Sequence, residues 1–256
     1  MNIEVLYQDE DIIVINKPSG LLSVPFEGFR GKTAQSQIEE ILRRRGMLNR
    51  ARHPLAVHRL DRDTSGVMMF SLNERSQKKL MDNWQKIVTE RWYIAVAENP
   101  KENPRNPAKI LGDEGCIDKP ISFNSKNHSG YVAKNASNSN KVDNKNRDQN
   151  KSVSAVTHYK ILERGKCYTL FQLELETGRK NQIRAHLASV GYPLAGDENY
   201  GAKTDPFGRL ALHARTLEFI HPSTGEKMKF EVEEPKEWAK LVKNAPGNMS
   251  GRKFSK

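Results

Sequence analysis

A carboxylate set between two arginines is the first place in this sequence where chemistry can be read. His58-Arg59-Leu60-Asp61-Arg62-Asp63-Thr64-Ser65-Gly66 runs directly into an apolar stretch from Val67 to Leu72. Neighbouring positive charge lowers a carboxyl pKa, so Asp61 can stay ionised even in a partly dry pocket. An ionised, poorly solvated carboxylate is a usable nucleophile or base. The same residues also read as a surface turn: Asp63, Thr64 and Ser65 have turn-forming chemistry, and adjacent Arg and Asp commonly make structural ion pairs. Asp61 and Asp63 form a D-x-D pair that in other enzymes holds a divalent cation. The arginine between them and the missing third carboxylate argue against a metal.

A second cluster, Thr177-Gly178-Arg179-Lys180-Asn181-Gln182-Ile183-Arg184-Ala185-His186, opens a helix with a glycine turn and three cations. Arg184 is rotated off the Ile183, Leu187 and Val190 stripe, so it can lean over the rim of a pocket. Cations at a helix amino end oppose the dipole, and an anion must justify them. Asp61 or an RNA phosphate would serve.

The elements that must position these clusters follow from periodicity. Ile3 to Tyr7 and Ile12 to Ile15 read as a hairpin, followed by the turn Lys17-Pro18-Ser19-Gly20. Thr33 to Arg45 predicts a helix with Ile38, Ile41 and Leu42 on one face, closed by three arginines. Val67 to Leu72 predicts a buried strand, and Glu74 to Ile87 one helix with Leu80, Trp84 and Ile87 inward. Strands are expected at 92–97, 155–162, 168–175, 210–220 and 229–232, and a helix at 181–190. Many strands with few, scattered helices predict an α+β fold, a mixed and largely antiparallel sheet flanked by helices and loops.

A chain of 256 residues carrying a net charge of +11 attracts polyanions, because basic surfaces steer phosphates and release counterions. Two cysteines, Cys116 and Cys167, with no CxxC pair fit reduced thiols better than a zinc site or a disulfide scaffold. The acidic start lacks a secretory pattern, and no apolar run approaches a bilayer span, so the cytoplasm is the expected location. Residues 126–151 hold seven asparagines and six Lys/Arg with almost no large apolar side chain, and 243–256 hold four Lys/Arg and no acid. Such segments cannot recover their ordering entropy by burial, and both are expected to be flexible, basic tethers for RNA. Residues 1–242 are read as one catalytic domain containing the first of them.

Taken together the motifs resemble the RluA-type RNA pseudouridine synthases. His58 to Gly66 is similar to that family's HRLDxxTSG signature, and Tyr7 to Pro18, with Asp11, Asn16, Lys17 and Pro18, to its first motif, a hairpin ending in N-K-P-x-G. Arg91-Trp92-Tyr93 resembles its K-x-Y element. Gly178 to Gly201, with Pro193-Leu194-Ala195-Gly196-Asp197 and Tyr200-Gly201, resembles its third motif. Leu212-His213-Ala214 and His221-Pro222-Ser223-Thr224-Gly225 also fit, so matches span Tyr7 to Trp238 in order.

The resemblance implies that Asp61 drives cleavage of the glycosidic bond of uridine, by attack at C1′ or by proton removal. It implies that Tyr93 stacks on the uracil and moves a proton, and that Arg184 pairs with Asp61. Ile183 would pack on the other face of the base, and Arg59 would fill the gap left by the flipped nucleotide. Lys17, Arg62, Arg179 and Lys180 are the further expected RNA contacts. Because the reaction detaches, rotates and rejoins one base, it implies no metal and no cofactor. The expected partner is structured ribosomal or transfer RNA, acted on by a monomer without membrane or protein partner. The alternative is a non-catalytic RNA-binding protein that keeps the fold. Asn181 departs from the histidine of many relatives, and the 126–151 loop is longer than the family's connection.

Overall fold

The computed structural model describes residues 3–100, 110–124, 129–132 and 152–245. In chain order its elements begin with strands β1 (Glu4–Gln8) and β2 (Ile12–Lys17), helix α1 (Ala34–Arg44), and strands β3 (Leu55–Ala56) and β4 (Ser65–Ser71). Helices α2 (Glu74–Asp82) and α3 (Trp84–Ile87) lead to strand β5 (Val88–Glu98). Strands β6 (Glu114–Asp118), β7 (Ile121–Asn124), β8 (Ser129–Val132), β9 (Val156–Arg164) and β10 (Tyr168–Leu175) follow. Helix α4 (Gln182–Ser189), a 3-10 turn at Glu198–Tyr200, strands β11 (Leu212–Ile220) and β12 (Lys227–Glu231), and helix α5 (Glu237–Asn244) complete the set. They fall into two compact units, Met1–Ile94 with Leu212–Lys236, and Ala95–Ala211 with Glu237–Lys256.

In the first unit β2 lies between β1 and β4, antiparallel to both, while β11 runs parallel to β4 and antiparallel to β12. Ile12, Ile13, Val14 and Ile15 are all fully buried, which explains why this strand is a continuous apolar run rather than an alternating one. One face joins Ile12, Val14, Val67, Met69, Leu217 and Phe219 with Leu80 and Ile87 from the helices. Helix α1 starts at the cap Thr33, whose side chain accepts from the Ser36 amide while Ser36 accepts from Thr33.

The single helix expected over 74–87 is two. Helix α2 stops at Asp82; Asn83 leaves the helical region (φ −121°, ψ 19°) and its amide nitrogen donates to the Lys79 carbonyl at 3.1 Å. A short polar side chain that bonds its own backbone competes with the helix ladder, and here it wins.

In the second unit β9 pairs antiparallel with both β10 and β6, and β7 and β8 form a separate two-stranded antiparallel sheet. Helix α5 packs on β9 and β10, with Trp238 and Val242 fully buried. Gly165, at the β9–β10 turn, is required: an added Cβ would stand 1.9 Å from the Val242 carbonyl oxygen.

Two expectations of flexibility shrink accordingly. Ser129–Val132, within the segment expected to be loose, is strand β8, held by pairing with β7; residues 126–128 and 133–151 lie outside the described residues. Lys243 and Asn244 end α5 and Ala245 is buried, so the tail does not begin at 243, and 246–256 lie outside the described residues. The apolar stripe Trp238, Leu241, Val242 gives that helix a face to bury. Among the described residues, no helix is long and apolar enough to cross a membrane.

Candidate active site

The main chain around Asp61 is gripped by side chains of a single turn. Lys17 Nζ donates to the carbonyls of Arg62 (2.9 Å), Leu21 (2.7 Å) and Pro18 (2.9 Å). Ser19 Oγ donates to the Asp63 carbonyl at 2.7 Å. Ser23 Oγ donates to the Leu60 carbonyl at 2.6 Å and accepts from the Leu60 amide at 3.1 Å. Residues 60, 62 and 63 are thus each fixed from the 17–23 segment, and the Thr64 amide closes the turn on the Asp61 carbonyl at 3.2 Å. Lys17 itself is fully buried. This corrects the expectation that it contacts RNA: its ammonium is spent on backbone carbonyls, where a buried charge needs such partners to be tolerated.

The turn then enters β4 through Gly66, whose φ of +110° is open to glycine and strained for other residues. A Cβ there would also stand 2.1 Å from the Ala214 carbonyl oxygen of the parallel strand β11. One residue earlier, buried Ser65 bonds His213 Nδ1 at 2.8 Å, and His213 Nε2 lies 2.9 Å from the Val232 carbonyl. A carbonyl only accepts, so Nε2 carries the proton and the serine donates to Nδ1. His213 of the L-H-A segment is therefore a satisfied core histidine that sets where the Asp61 turn meets the sheet.

Electrostatics link Asp61 to Tyr93. The phenol of Tyr93, buried on β5, has its pKa raised, chiefly by loss of water and further by Asp61, against an opposing pull from Arg91. Tyr93 is therefore a neutral hydroxyl within the field of the Asp61 carboxylate. Beside them His58 packs its ring 5.0 Å from that of Trp84, with the Arg91 guanidinium 5.9 Å from the same Trp84 ring. Burial, reinforced by Arg91, pushes the His58 imidazole down to about 3, and its Nε2 accepts from the Met69 amide at 3.0 Å. Arg59 and Arg62 are exposed, and the Arg62 guanidinium pairs with Asp63 at 3.0 Å.

The second unit carries the other cluster. Arg184 makes a two-pronged pair with the buried carboxylate of Asp197, at 2.7 and 2.8 Å, and its guanidinium lies 4.7 Å from the Tyr200 ring centre. Such a fork fixes both the charge and the plane of the arginine. Asn181 adopts the left-handed conformation at φ 56° at the mouth of α4. Gln182 locks that mouth: its Oε1 accepts from Thr177 and from the Arg179 amide, and its Nε2 donates to the Val156 carbonyl and to Thr157 Oγ1. Arg179 is exposed, with Nε donating to the Ser154 carbonyl, and exposed Lys180 sits 5.0 Å from the Phe123 ring centre. Ile183 is buried.

Asp61 and Tyr93 thus belong to one unit and share a field, and Arg184 stands in the other on its own carboxylate. Sequence reasoning gave no role to Asp197, Ser19, Ser23 or Gln182. Asp197 was visible as part of a motif, but nothing in its spacing names Arg184 as its partner. Ser19 and Ser23 act on backbone groups, which leave no side-chain signature. Among the described residues, no group of three or more His, Cys, Asp or Glu side chains could hold a metal ion.

An aspartate-bearing turn seated on a mixed, largely antiparallel sheet is the arrangement expected of a pseudouridine synthase, a class of RNA-modifying enzymes. Comparison with known proteins agrees: the model of the RNA pseudouridylate synthase family matches residues 11–189. An RNA pseudouridine synthase of Bacillus subtilis is 35% identical over 249 residues, covering 97% of this chain and 74% of that protein. The ribosomal large subunit pseudouridine synthase D of Pasteurella multocida is 31% identical over 254 residues, covering 94% and 70%. The solved structure of human RNA pseudouridylate synthase domain containing 1 shares the fold, with a TM-score of 0.65 at 22% identity, covering 91% of this chain and 84% of that one. The chain belongs to the RluA-type family of RNA pseudouridine synthases, and its reaction is the isomerisation of uridine in RNA.

Proposed function

We propose that the substrate is large-subunit ribosomal RNA and that Asp61 opens the glycosidic bond of one flipped-out uridine. The substrate reading rests on likeness to ribosomal large subunit pseudouridine synthases D, including those of Pasteurella multocida and Pseudomonas aeruginosa. The observation that carries the site is the Asp61 turn, fixed at residues 60, 62 and 63, with its carboxylate acting on the buried Tyr93 hydroxyl.

Asp61 attacks C1′ or removes a ribose proton, and the N1–C1′ bond breaks in either course. The freed uracil turns and C5 bonds to C1′, displacing Asp61 from C1′ in the first course or with the proton returned to the ribose in the second. C5 then loses its proton and N1 gains one, so the product has the atoms of the substrate. Tyr93, kept a neutral phenol, stacks on the uracil and offers its hydroxyl to proton movement. Ile183 packs against the base, and Arg59 takes the vacated place in the RNA stack. Arg62, Arg179 and Lys180 meet phosphate, and Arg184, its plane set by Asp197, supplies positive charge to the reaction.

The test is pseudouridine content of transcribed large-subunit ribosomal RNA and of transfer RNA after incubation with purified protein. Wild type and Asp63→Asn are expected to form product in the ribosomal transcript, and Asp61→Asn to form none while binding it normally. Equal losses at the two aspartates, or an active Asp61→Asn, would overturn the role of Asp61. Product in transfer RNA alone would overturn the substrate.

A further inference from the structure

Between β2 and α1 the chain makes an excursion that the catalytic reading does not use. Its two ends are closed on each other: Leu22 bridges Thr33, the Ala34 amide donates to the Leu22 carbonyl at 2.7 Å, and the Gln35 amide to the Ser23 carbonyl at 3.1 Å. Its tip is turned by the Phe29 amide donating to the Phe26 carbonyl at 3.0 Å, with Gly28 at φ +82°. The two phenyl rings lie 5.1 Å apart, and the Phe29 ring folds over Gly31 so closely that a Cβ there would meet it at 2.5 Å. Phe26 is therefore braced from beneath, yet 63% of it is exposed.

An exposed, braced phenyl ring is a presented surface rather than a failure of burial, because the same ring could have folded inward as Phe29 does. Its neighbours name the chemistry. Arg30 and Lys32 are exposed on the same loop against the single acid Glu27. At the loop's root Ser23 holds both the amide and the carbonyl of Leu60, the residue before Asp61. A ring that stacks, cations that meet phosphate and a root tied to the catalytic turn suit one occupant: unpaired nucleotides of the substrate RNA.

We infer that the 24–32 loop is a stacking platform that engages an unpaired base beside the target uridine, with Phe26 as the contacting ring. The inference rests on the reading that RNA is the substrate, and it predicts a contribution that is apolar in origin. The experiment uses the full chain, a fluorescein-labelled RNA hairpin with an unpaired uridine-containing loop, and a blunt duplex of the same stem. Phe26→Ala should weaken hairpin binding by roughly 5- to 100-fold, the range expected for losing one base–aromatic stack. Duplex affinity and the slope of log affinity against log salt should not change, and Phe26→Trp should bind like wild type. Arg30→Ala should instead lower the hairpin slope by roughly 0.7. On ribosomal transcript, Phe26→Ala should raise KM and leave kcat in place.

Unchanged hairpin affinity in Phe26→Ala would overturn the platform, as would equal losses on hairpin and duplex. A change of oligomeric state with RNA binding intact would overturn it in favour of a second copy of the chain as the occupant. If wild type forms pseudouridine and Phe26→Ala matches it in KM, the platform alone has failed. If wild type forms none while Phe26→Ala still loses the hairpin, the catalytic reading has failed and the platform stands.

Discussion

Lysine is rarely buried, because its ammonium loses a strong hydration shell, and this makes Lys17 the residue whose position says most about the site. Three carbonyl oxygens replace its water, and one of them belongs to Arg62. Lys17→Met keeps the aliphatic stem but strands those oxygens without their cation. It should destabilise the fold by about 2–4 kcal/mol, read from urea unfolding, with pseudouridine formation falling further than the folded fraction does. Asp61, Tyr93 and Arg184 were singled out because motif resemblance reaches them directly. Lys17 was legible as present but not as buried: a lysine in a turn beside a basic cluster reads as an RNA contact until its acceptors are seen.

At the scale of elements, the parallel contact of β4 with β11 seats the Asp61 turn. Gly66→Ala would place a methyl carbon 2.1 Å from the Ala214 carbonyl oxygen and require a φ of +110° from a residue with a side chain. Neither backbone has a flexible side chain to move aside, so the strands must separate. The cost should be about 2–4 kcal/mol, seen as a lowered thermal midpoint together with lost product. Strands β1, β2, β4, β10 and β11 were legible because each is a run of apolar and β-branched residues bounded by turn chemistry. Strand β6 was not, since only Ile117 of its five residues is buried and its order comes from pairing with β9. The break at Asn83 escaped for the opposite reason: the apolar stripe passes straight through it, and only the side-chain bond to Lys79 shows where the helix ends.

For the whole molecule the response to acid can be worked out from two groups of the first unit. The folded His58 imidazole titrates at about 3 instead of near 6.5, so below pH 6.5 the unfolded chain binds a proton that the folded one refuses. Stability should therefore decline as pH falls from 6.5 toward 3. Burial alone would raise the Asp11 carboxyl, but bonds from Ser223, Ser76 and Asn73 and the nearness of His221 bring it down to about 2. Its contribution is present above its ordinary value of 3.8 and is lost only between there and about 2. The two losses thus come in order, histidine first. Unfolding free energies from urea titrations at pH 7 and pH 4.5 should differ by about 2–3 kcal/mol in wild type, and His58→Gln, an acceptor that does not titrate, should remove most of that difference.

The bond between Ser65 and His213 spans 148 positions of the chain, and His213 in turn leans on Val232. Residues 95–211 are synthesised in the interval and belong to the other unit, together with 237–256. Non-local contacts of this kind form late, after the entropy of a long loop has been spent. During translation the aspartate motif emerges well before the strand it must sit against, which follows 148 positions later. Every nascent fragment that stops short of Val232 carries the Asp61 motif without its complete seat. The turn therefore gains its seat only after both β11 and Val232 have been made, and no shorter nascent chain holds it in finished form.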